Sequence, residues 1–528
     1  MVHPSSERPR SLSGEASAPA DDVGAGRRAL ARRLAWRNAS WRPWRTWLLC
    51  AGFGVGVGVM IVLLAVGEAM VRQASQERLV GGGDVTVLPE GIDIEVLTTG
   101  GLGGLFFSVP NARFVHRQVL TAPRLAGTVR TVAPQLEGKL LYLTRVDGSE
   151  LPVRASGEIP SATRALGALP EVVRGTWTDD AGDQRWVAPT DAELRHDIDH
   201  FHRPPDGMAS RESWGEWHYF NVLSDDASRW AFLSFIVGGD VTDTTWGGQV
   251  LVTLHARGRA PRRFSARVPR SRVRFSTRDA DLEVGSGSVQ VQGDGRYAVR
   301  ATLREEGTGT PLTVDLMVTP APRVDFPGAT LVSGDFASGY AVPGLRASAT
   351  GTLCVAAQCE RYNESQAYHD HNWGGWRGVT WEWGATRAGE YTILYGRVAP
   401  EDTTVGSAPL FVYLTDANGF LALFRPRAIR YEDARTIMTT EGPLRVPSTA
   451  ELTDIRDGDT LRLTLRIDDA VASDTRQPTV ERGEGDERAM RALARPWFVQ
   501  MAGEAIISGR VRGRPLSGSG RGFFETYR

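Results

Sequence analysis

The 528-residue chain has almost no lysine: Lys139 stands alone among 61 basic side chains. We read this bias as base composition of the gene rather than as selection for the forked guanidinium, and draw no function from it. The chain also has almost no net charge, because 62 acidic residues leave it at -1. No long run of one sign interrupts residues 67–528. Such a surface has no field to concentrate polyanions, so no nucleic-acid partner is expected. Cysteine is scarce. Cys50 lies in an apolar stretch, while Cys354 and Cys359 sit in "CVAAQC" with no second pair elsewhere. A thiolate zinc site is thereby excluded, and a small-loop disulfide or two plain buried thiols remain as alternatives set by the compartment. Two further absences narrow the function. No second apolar run of about 18 residues follows the first, and no Gly-x-x-x-x-Gly-Lys-Ser/Thr phosphate loop occurs. The chain alone is neither a multi-span transporter nor a P-loop nucleotidase.

The one long apolar run is 47–66, "WLLCAGFGVGVGVMIVLLAV". Its length matches the roughly 20 helical residues needed to cross a bilayer core. Before it, "RRALARRLAWRNASWRPWRTW" carries seven arginines and four tryptophans, with no acid between Asp22 and Glu68. By the positive-inside rule this flank stays cytoplasmic, and everything after Gly67 lies outside the cytoplasmic membrane. The expected anchor is a single pass, and Gly54 and Gly58 give it a Gly-x-x-x-Gly spacing for close approach of another helix.

Residues 1–26 are expected to be a disordered tail, 27–46 a basic interfacial segment, 47–66 the transmembrane helix and 67–204 a small mixed α/β segment. Within the last, "GDVTVLP" and "KLLYLTRV" read as strands and "TDAELRHDIDHF" as a helix capped by Thr190 and Glu193. His196 and His200 share a face of that helix, with His202 close by, a set read as a solvated polar face rather than as metal ligands. From Glu216 onward paired strands dominate. "WHYFNVLSDDASRWAFLSFIVG" is strand, turn, strand, and "FVYLTDANGFLALF" turns at Asn418-Gly419. The 217–237 hairpin is echoed at 381–398. The expected fold is mainly β: two tandem antiparallel barrels, 205–366 and 367–528, behind one transmembrane helix. A closed eight-stranded barrel can enclose a small lipophilic ligand.

The densest chemistry is "AYHDHNWGGW", residues 367–376. In an extended strand His369 and His371 share one face while Asp370 and Asn372 share the other. Asp370, His369 and His371 are the candidate acid/base residues. The aromatic set expected to line a binding surface is Trp217, Tyr219, Trp373, Trp376, Trp381, Trp383 and Tyr395. The stretch can equally be a polar and aromatic joint between two barrels. No metal or cofactor is expected.

"EWHYFNVLSDDASRWAFLSFI", "YHDHNWGGW" and the closing "GEAIISGRVRGRPLSGSGRGFFE" together resemble the lipocalin-like family of hydroxyneurosporene synthase, or carotenoid 1,2-hydratase, over residues 205–528. The resemblance implies two lipocalin-like domains and a long hydrophobic substrate with isolated double bonds. It also implies chemistry in which an acid protonates an alkene and water or an internal hydroxyl captures the cation. Where that family carries a Tyr-x-Asp pair, the nearest counterpart here is Tyr395-Gly396-Arg397, and an arginine is too weak an acid for the step. Residues 30–95 in turn resemble the opening of a macrolide-exporter-type ABC-transporter permease. The expected function is a membrane-anchored, extracytoplasmic lipocalin-like protein that binds an isoprenoid or lipid, possessing carotenoid-hydratase-like or cyclase chemistry. The alternative is a non-catalytic lipophile-binding module of an ABC transporter system. Partners are then the bilayer, a hydrophobic ligand and an ABC component. A reporter enzyme fused after Arg528 should be active only outside the cytoplasm, and activity confined to the cytoplasm would reverse the topology.

Overall fold

A computed structural model describes residues 21–76, 85, 108–166, 177–208, 210–333, 336–376, 378–400, 410–474 and 497–528. The chain forms two compact units, Met1–Thr86 and Val87–Arg528. The first contains α1 (Asp21–Trp41) and α2 (Pro43–Gln76). Pro43 has no N–H to continue α1 and a preset φ that starts α2. Residues 21–26, expected in the tail, are helical, and residues 1–20 lie outside the described set. Among the described residues Pro43–Val66 is the one helix long and apolar enough to span a membrane, its most apolar 18-residue window having mean hydropathy 2.6. Most of the expected strand at 83–89 lies outside the described residues.

The second unit begins with the mixed segment. Gln135–Thr144 and Glu150–Glu158 form a hairpin, and α3 (Val109–Thr121), α4 (Pro160–Ala165), α5 (Ala181–Val187) and α6 (Asp191–Asp199) follow the chain around it. The Thr190/Glu193 capping box closes reciprocally at the start of α6, as its spacing predicts. Leu194 and Ile198 of α6 pack on Phe114 of α3, and Arg113 Nη1 reaches Asp197 Oδ2 at 2.6 Å. These contacts fix where α6 ends, and its end enters the first barrel.

In the first large sheet, of twelve strands, the eight that close a ring are numbered: β1 (Trp214–Leu223), β2 (Arg229–Gly239), β3 (Trp246–Ala256), β4 (Arg262–Pro269), β5 (Tyr297–Glu305), β6 (Pro311–Pro320), β7 (Phe336–Val355) and β8 (Gln358–Gly375). Each pairs antiparallel with its neighbours in sequence, and β8 returns to β1, so the meander closes on itself. This is the lipocalin type of barrel. The β4–β5 ladder is short, with Arg304 opposite Ser265 and Glu305 opposite Phe264. Inside, Phe220, Leu233, Phe235, Val252, Phe264 and Leu316 pack with Phe201, which follows α6. Among the described residues these side chains pack closely in the barrel interior.

The second sheet contains β9 (Val379–Ala388), β10 (Tyr391–Pro400), β11 (Phe411–Asp416), β12 (Gly419–Phe424), β13 (Arg430–Glu432), β14 (Thr449–Arg456), β15 (Asp459–Asp474), β16 (Trp497–Val511) and β17 (Arg514–Tyr527). Its order is β12-β11-β10-β9-β17-β16-β15-β14-β13. Among the described residues no ladder joins β12 to β14, although the Arg425 N–H donates to Asp454 at 2.7 Å. It is therefore a curled sheet around its own apolar core rather than a fully hydrogen-bonded barrel.

Two local expectations shift. The boundary between the β domains falls at 376–378, because β8 pairs with β1 along Ala367–Gly375 and belongs to the first barrel. The β11–β12 turn is centred on Ala417-Asn418, with Asp416 opposite Gly419. Only Gly419 takes a positive φ, 91°, which fits a type I turn with a glycine bulge rather than an Asn-Gly type I′ turn. Cys354 and Cys359 face each other across the β7–β8 hairpin and are disulfide-bonded. Mass measurement of an unreduced digest of fresh protein should find one crosslinked peptide containing both cysteines, and two free thiols would refute the bridge.

Candidate active site between two sheets

β8 is shared by two cores, and its alternation divides "HDHN" between them. His369 and His371 point into the barrel opposite Phe220 and His218, whereas Asp370 and Asn372 point out opposite Tyr219 and Trp217. The outward face packs on β9 and β17 to form a seam. Trp383 lies there with Tyr368, Tyr219, Tyr340 and Phe523 in one apolar cluster. It lies flat across its cross-strand partner Gly396. A Cβ on Gly396 would come within 2.4 Å of the indole, so this position requires glycine.

Two carboxyl groups are enclosed in the seam. Asp370 Oδ2 accepts from the Tyr368 hydroxyl at 2.7 Å, and Asp370 Oδ1 from Asn372 Nδ2 at 2.6 Å. Trp383 Nε1 donates to the Tyr368 oxygen at 2.8 Å. Glu525 accepts from Trp381 Nε1 at 3.1 Å and from Tyr219 and Gln500. Burial pushes Asp370 well above the usual carboxyl range and outweighs the Tyr368 and Asn372 hydrogen bonds, with Glu525 adding repulsion. Burial likewise pushes Glu525 up to about 7, against the bonds it accepts. Two acids are thus held neutral or near neutral among aromatic rings. At the rim the half-buried indoles of Trp217, Trp376 and Trp381 pack within 4.7 to 6.0 Å of one another. A cleft of about 270 Å3, counted out to its open mouth, lies along the seam between Tyr368, Phe523 and Arg387.

The inward face carries a different chemistry. Asp199, at the end of α6, is fully buried; its Oδ2 is 2.9 Å from His369 Nε2 and 3.6 Å from His218 Nδ1. The Tyr297 hydroxyl donates to the same oxygen at 2.9 Å. His371 lies between Asp199 Oδ1 at 3.0 Å and Glu216 Oε1 at 2.9 Å. Burial disfavours its charge, but the two carboxylates prevail and raise it to about 9. Glu216 also accepts from the His202 N–H at 2.8 Å and contacts His202 Nδ1 at 2.9 Å.

Of the expected aromatic set, Trp217, Tyr219, Trp376, Trp381 and Trp383 meet at the seam. Trp373 does not: it points inward and stacks on His202 at 3.9 Å. Tyr395 is also misplaced, because it faces the second sheet's own core beside Phe524. Of the acid/base candidates only Asp370 reaches the seam. His369 and His371 are separated from it by the strand itself. The helix histidines do not converge: His196 accepts from the Ala280 N–H, while His200 contacts the Asp197 carbonyl. Arg397 pairs with Glu382 at 3.1 Å, away from the seam carboxyls. Sequence reading missed Glu525, Asp199, Glu216, His218 and Tyr297. For Glu525 a signal existed, since it is the one acid in the apolar run "GFFETY".

No known family model matches the chain, and no curated protein does. Among solved structures it is similar to a Nitrosomonas europaea protein described as AttH, at 16% identity and TM-score 0.40 over 62% of this chain and 97% of that one. It is similar to CghA with Sch210972, at 14% identity and TM-score 0.40 over 63% and 96%. It is also similar to kievitone hydratase from Nectria haematococca, at 13% identity and TM-score 0.39 over 62% and 96%. The class rests on the strand order itself: a mainly-β protein with a lipocalin-like barrel joined to a second curled sheet. Nothing in the comparisons bears on the permease-like opening.

Glu525 makes stability pH-dependent in a fixed direction. Its folded value, about 7, exceeds the ordinary 4.5, so the folded protein keeps a proton that the unfolded chain releases. That contribution is complete below pH 4.5 and is lost as pH rises to about 7. The stability difference between wild type and Glu525→Gln, from denaturant titrations, should fall by roughly 3 kcal/mol across this window. A pH-independent difference would count against a buried neutral acid.

Proposed function

We propose that the seam binds an alkene-bearing lipophile and that its buried acid Glu525 protonates it, leading to hydration or cyclisation. The observation that carries this reading is the pair Asp370 and Glu525, both buried and both raised, in walls of indole and phenol. Protonating an isolated alkene needs a carboxylic acid that is still protonated near neutral pH. It also needs π faces to stabilise the resulting cation and a shaped apolar space that rations water. Glu525 is the acid in this scheme. Its proton passes to one alkene carbon, the cation forms on the other, and capture by water or an internal hydroxyl releases a proton back to the carboxylate. Asp370 holds the Tyr368 hydroxyl in the wall of the seam.

The enclosed part of the cleft has room for little more than a water molecule, so binding a lipophile requires parting of the sheets at the half-buried tryptophans of the rim. An anchor at Pro43–Val66 keeps such a protein at the bilayer from which a lipophile would be drawn. The basic flank before it supports an extracytoplasmic location for the β domains, and the Cys354–Cys359 bridge is in keeping with an oxidising compartment. A transporter component remains a proposed partner on the strength of the permease-like opening alone.

The test uses lipids extracted from detergent-purified protein. Wild type should carry a hydrated or cyclised product, whereas Glu525→Gln should retain the fold and carry the unreacted alkene, one water lighter or isomeric. Conversion should fall by roughly 100-fold or more. Asp370→Asn should keep bound lipid and lower conversion by less than Glu525→Gln, because Asp370 acts only by holding the Tyr368 hydroxyl. If wild type and both variants carry the same unaltered lipid, the seam is a carrier site and the catalytic reading fails.

A further inference from the structure

The inward cluster has an arrangement of donors that the seam chemistry does not use. His369 Nδ1 lies 2.9 Å from the Tyr219 carbonyl oxygen, and His218 Nε2 lies 2.8 Å from the Ala280 carbonyl oxygen. A carbonyl only accepts, so each of these nitrogens carries the hydrogen. In the neutral rings, His369 Nε2 and His218 Nδ1 are therefore bare lone pairs. Both lone pairs point toward Asp199 Oδ2, at 2.9 and 3.6 Å. His218 Nδ1 has no hydrogen-bond partner although the side chain is wholly buried. Three acceptors converging in a dry interior call for something positive between them.

We propose that Asp199, His218 and His369 bind a divalent transition-metal ion of the zinc class inside the first barrel. The three ligand atoms lie within 4.8 Å of one another, which accommodates an ion at about 2.0 to 2.2 Å from each. Two imidazoles and one carboxylate favour such an ion over magnesium or calcium, whose ligands are mainly oxygen. The backbone carbonyls behind His218 and His369 act as the outer contacts that orient ligating imidazoles. Tyr297, donating to Asp199 Oδ2, and His371, facing Oδ1, hold the carboxylate from its other sides. The ligands come from the end of α6, from β1 and from β8. The ion would thus tie the helix to the two strands that form the barrel side of the seam, its three protein ligands leaving a fourth position open. This proposal stands whether the seam is catalytic or a carrier site.

The experiment is elemental analysis and native mass measurement of the full chain, purified in detergent without chelator. One first-row divalent ion per chain is expected. His369→Gln and His218→Gln should lower that content by roughly tenfold or more, while His255→Gln, which removes a buried histidine outside the cluster, should retain it. If the variants do not fold, wild type from metal-depleted cultures keeps the proposal testable. Its melting temperature should be lower and should recover with Zn2+ but not Mg2+, and Co2+ should give visible ligand-field bands. Metal-free wild type with an unchanged melting temperature and no uptake of Zn2+ or Co2+ would overturn the proposal, leaving protons to hold the cluster.

Discussion

The two-residue period of β8 is the constraint on which both polar sites depend. A strand buried on both faces must satisfy two different cores with alternate residues, and a slip of one residue would exchange them. β8 has a barrel on one side and a second sheet on the other. Its histidines answer to the barrel and its acids and amides to the seam. Pairing with β1 from Ala367 to Gly375 fixes that register, and β1 has the same division: Glu216, His218 and Phe220 face in, Trp217, Tyr219 and Asn221 face out.

The two faces solve the problem of buried polarity in opposite ways. Inside the barrel, the His371 ring lies between the carboxylates of Asp199 and Glu216, while His369 and His218 each give one ring nitrogen to a backbone carbonyl and turn the other toward Asp199. In the seam, charge is suppressed instead. Asp370 and Glu525 lie among indoles and phenols, where ionisation is costly, and their partners are neutral donors from Tyr368, Asn372, Trp381, Tyr219 and Gln500. One peptide unit therefore separates an ionic environment from an acidic one. The separation also explains why His369 and His371 cannot serve the chemistry of the seam, despite standing on either side of Asp370.

What the sequence disclosed was local. The apolar run of α2, the capping box of α6, the hairpins and the alternation of "HDHN" are all set by neighbours within a few residues, and each is found in the structure. The boundary between the sheets was misplaced because β8 looks like the opening of a hairpin with β9, yet its long-range partner is β1. Asp199 could not be linked to His369 by pattern, since 170 residues separate them. It enters the barrel only because α3 and α6 pack together and direct the chain inward. Glu525 meets Trp381 across 144 residues for a similar reason: β17 returns beside β9. Trp373 and Tyr395 were grouped with the other aromatics by composition, and strand parity sends them to other cores.

The shortness of the β4–β5 ladder has a mechanical consequence. In a ring of eight strands that joint is diametrically opposite the β8–β1 pair. The direct ladder consists of two residue pairs, supplemented by Arg262 on Glu305 at 2.6 and 2.7 Å and by Ser265 on Glu306 at 2.7 Å, and the rest of the β5 edge, Tyr297–Ala301, is paired instead with a short strand at Gly287–Val291. A cylinder under thermal load unzips along its weakest line. Here that line runs down the back wall, so the barrel can breathe like a split ring while β8 and β1 stay clamped.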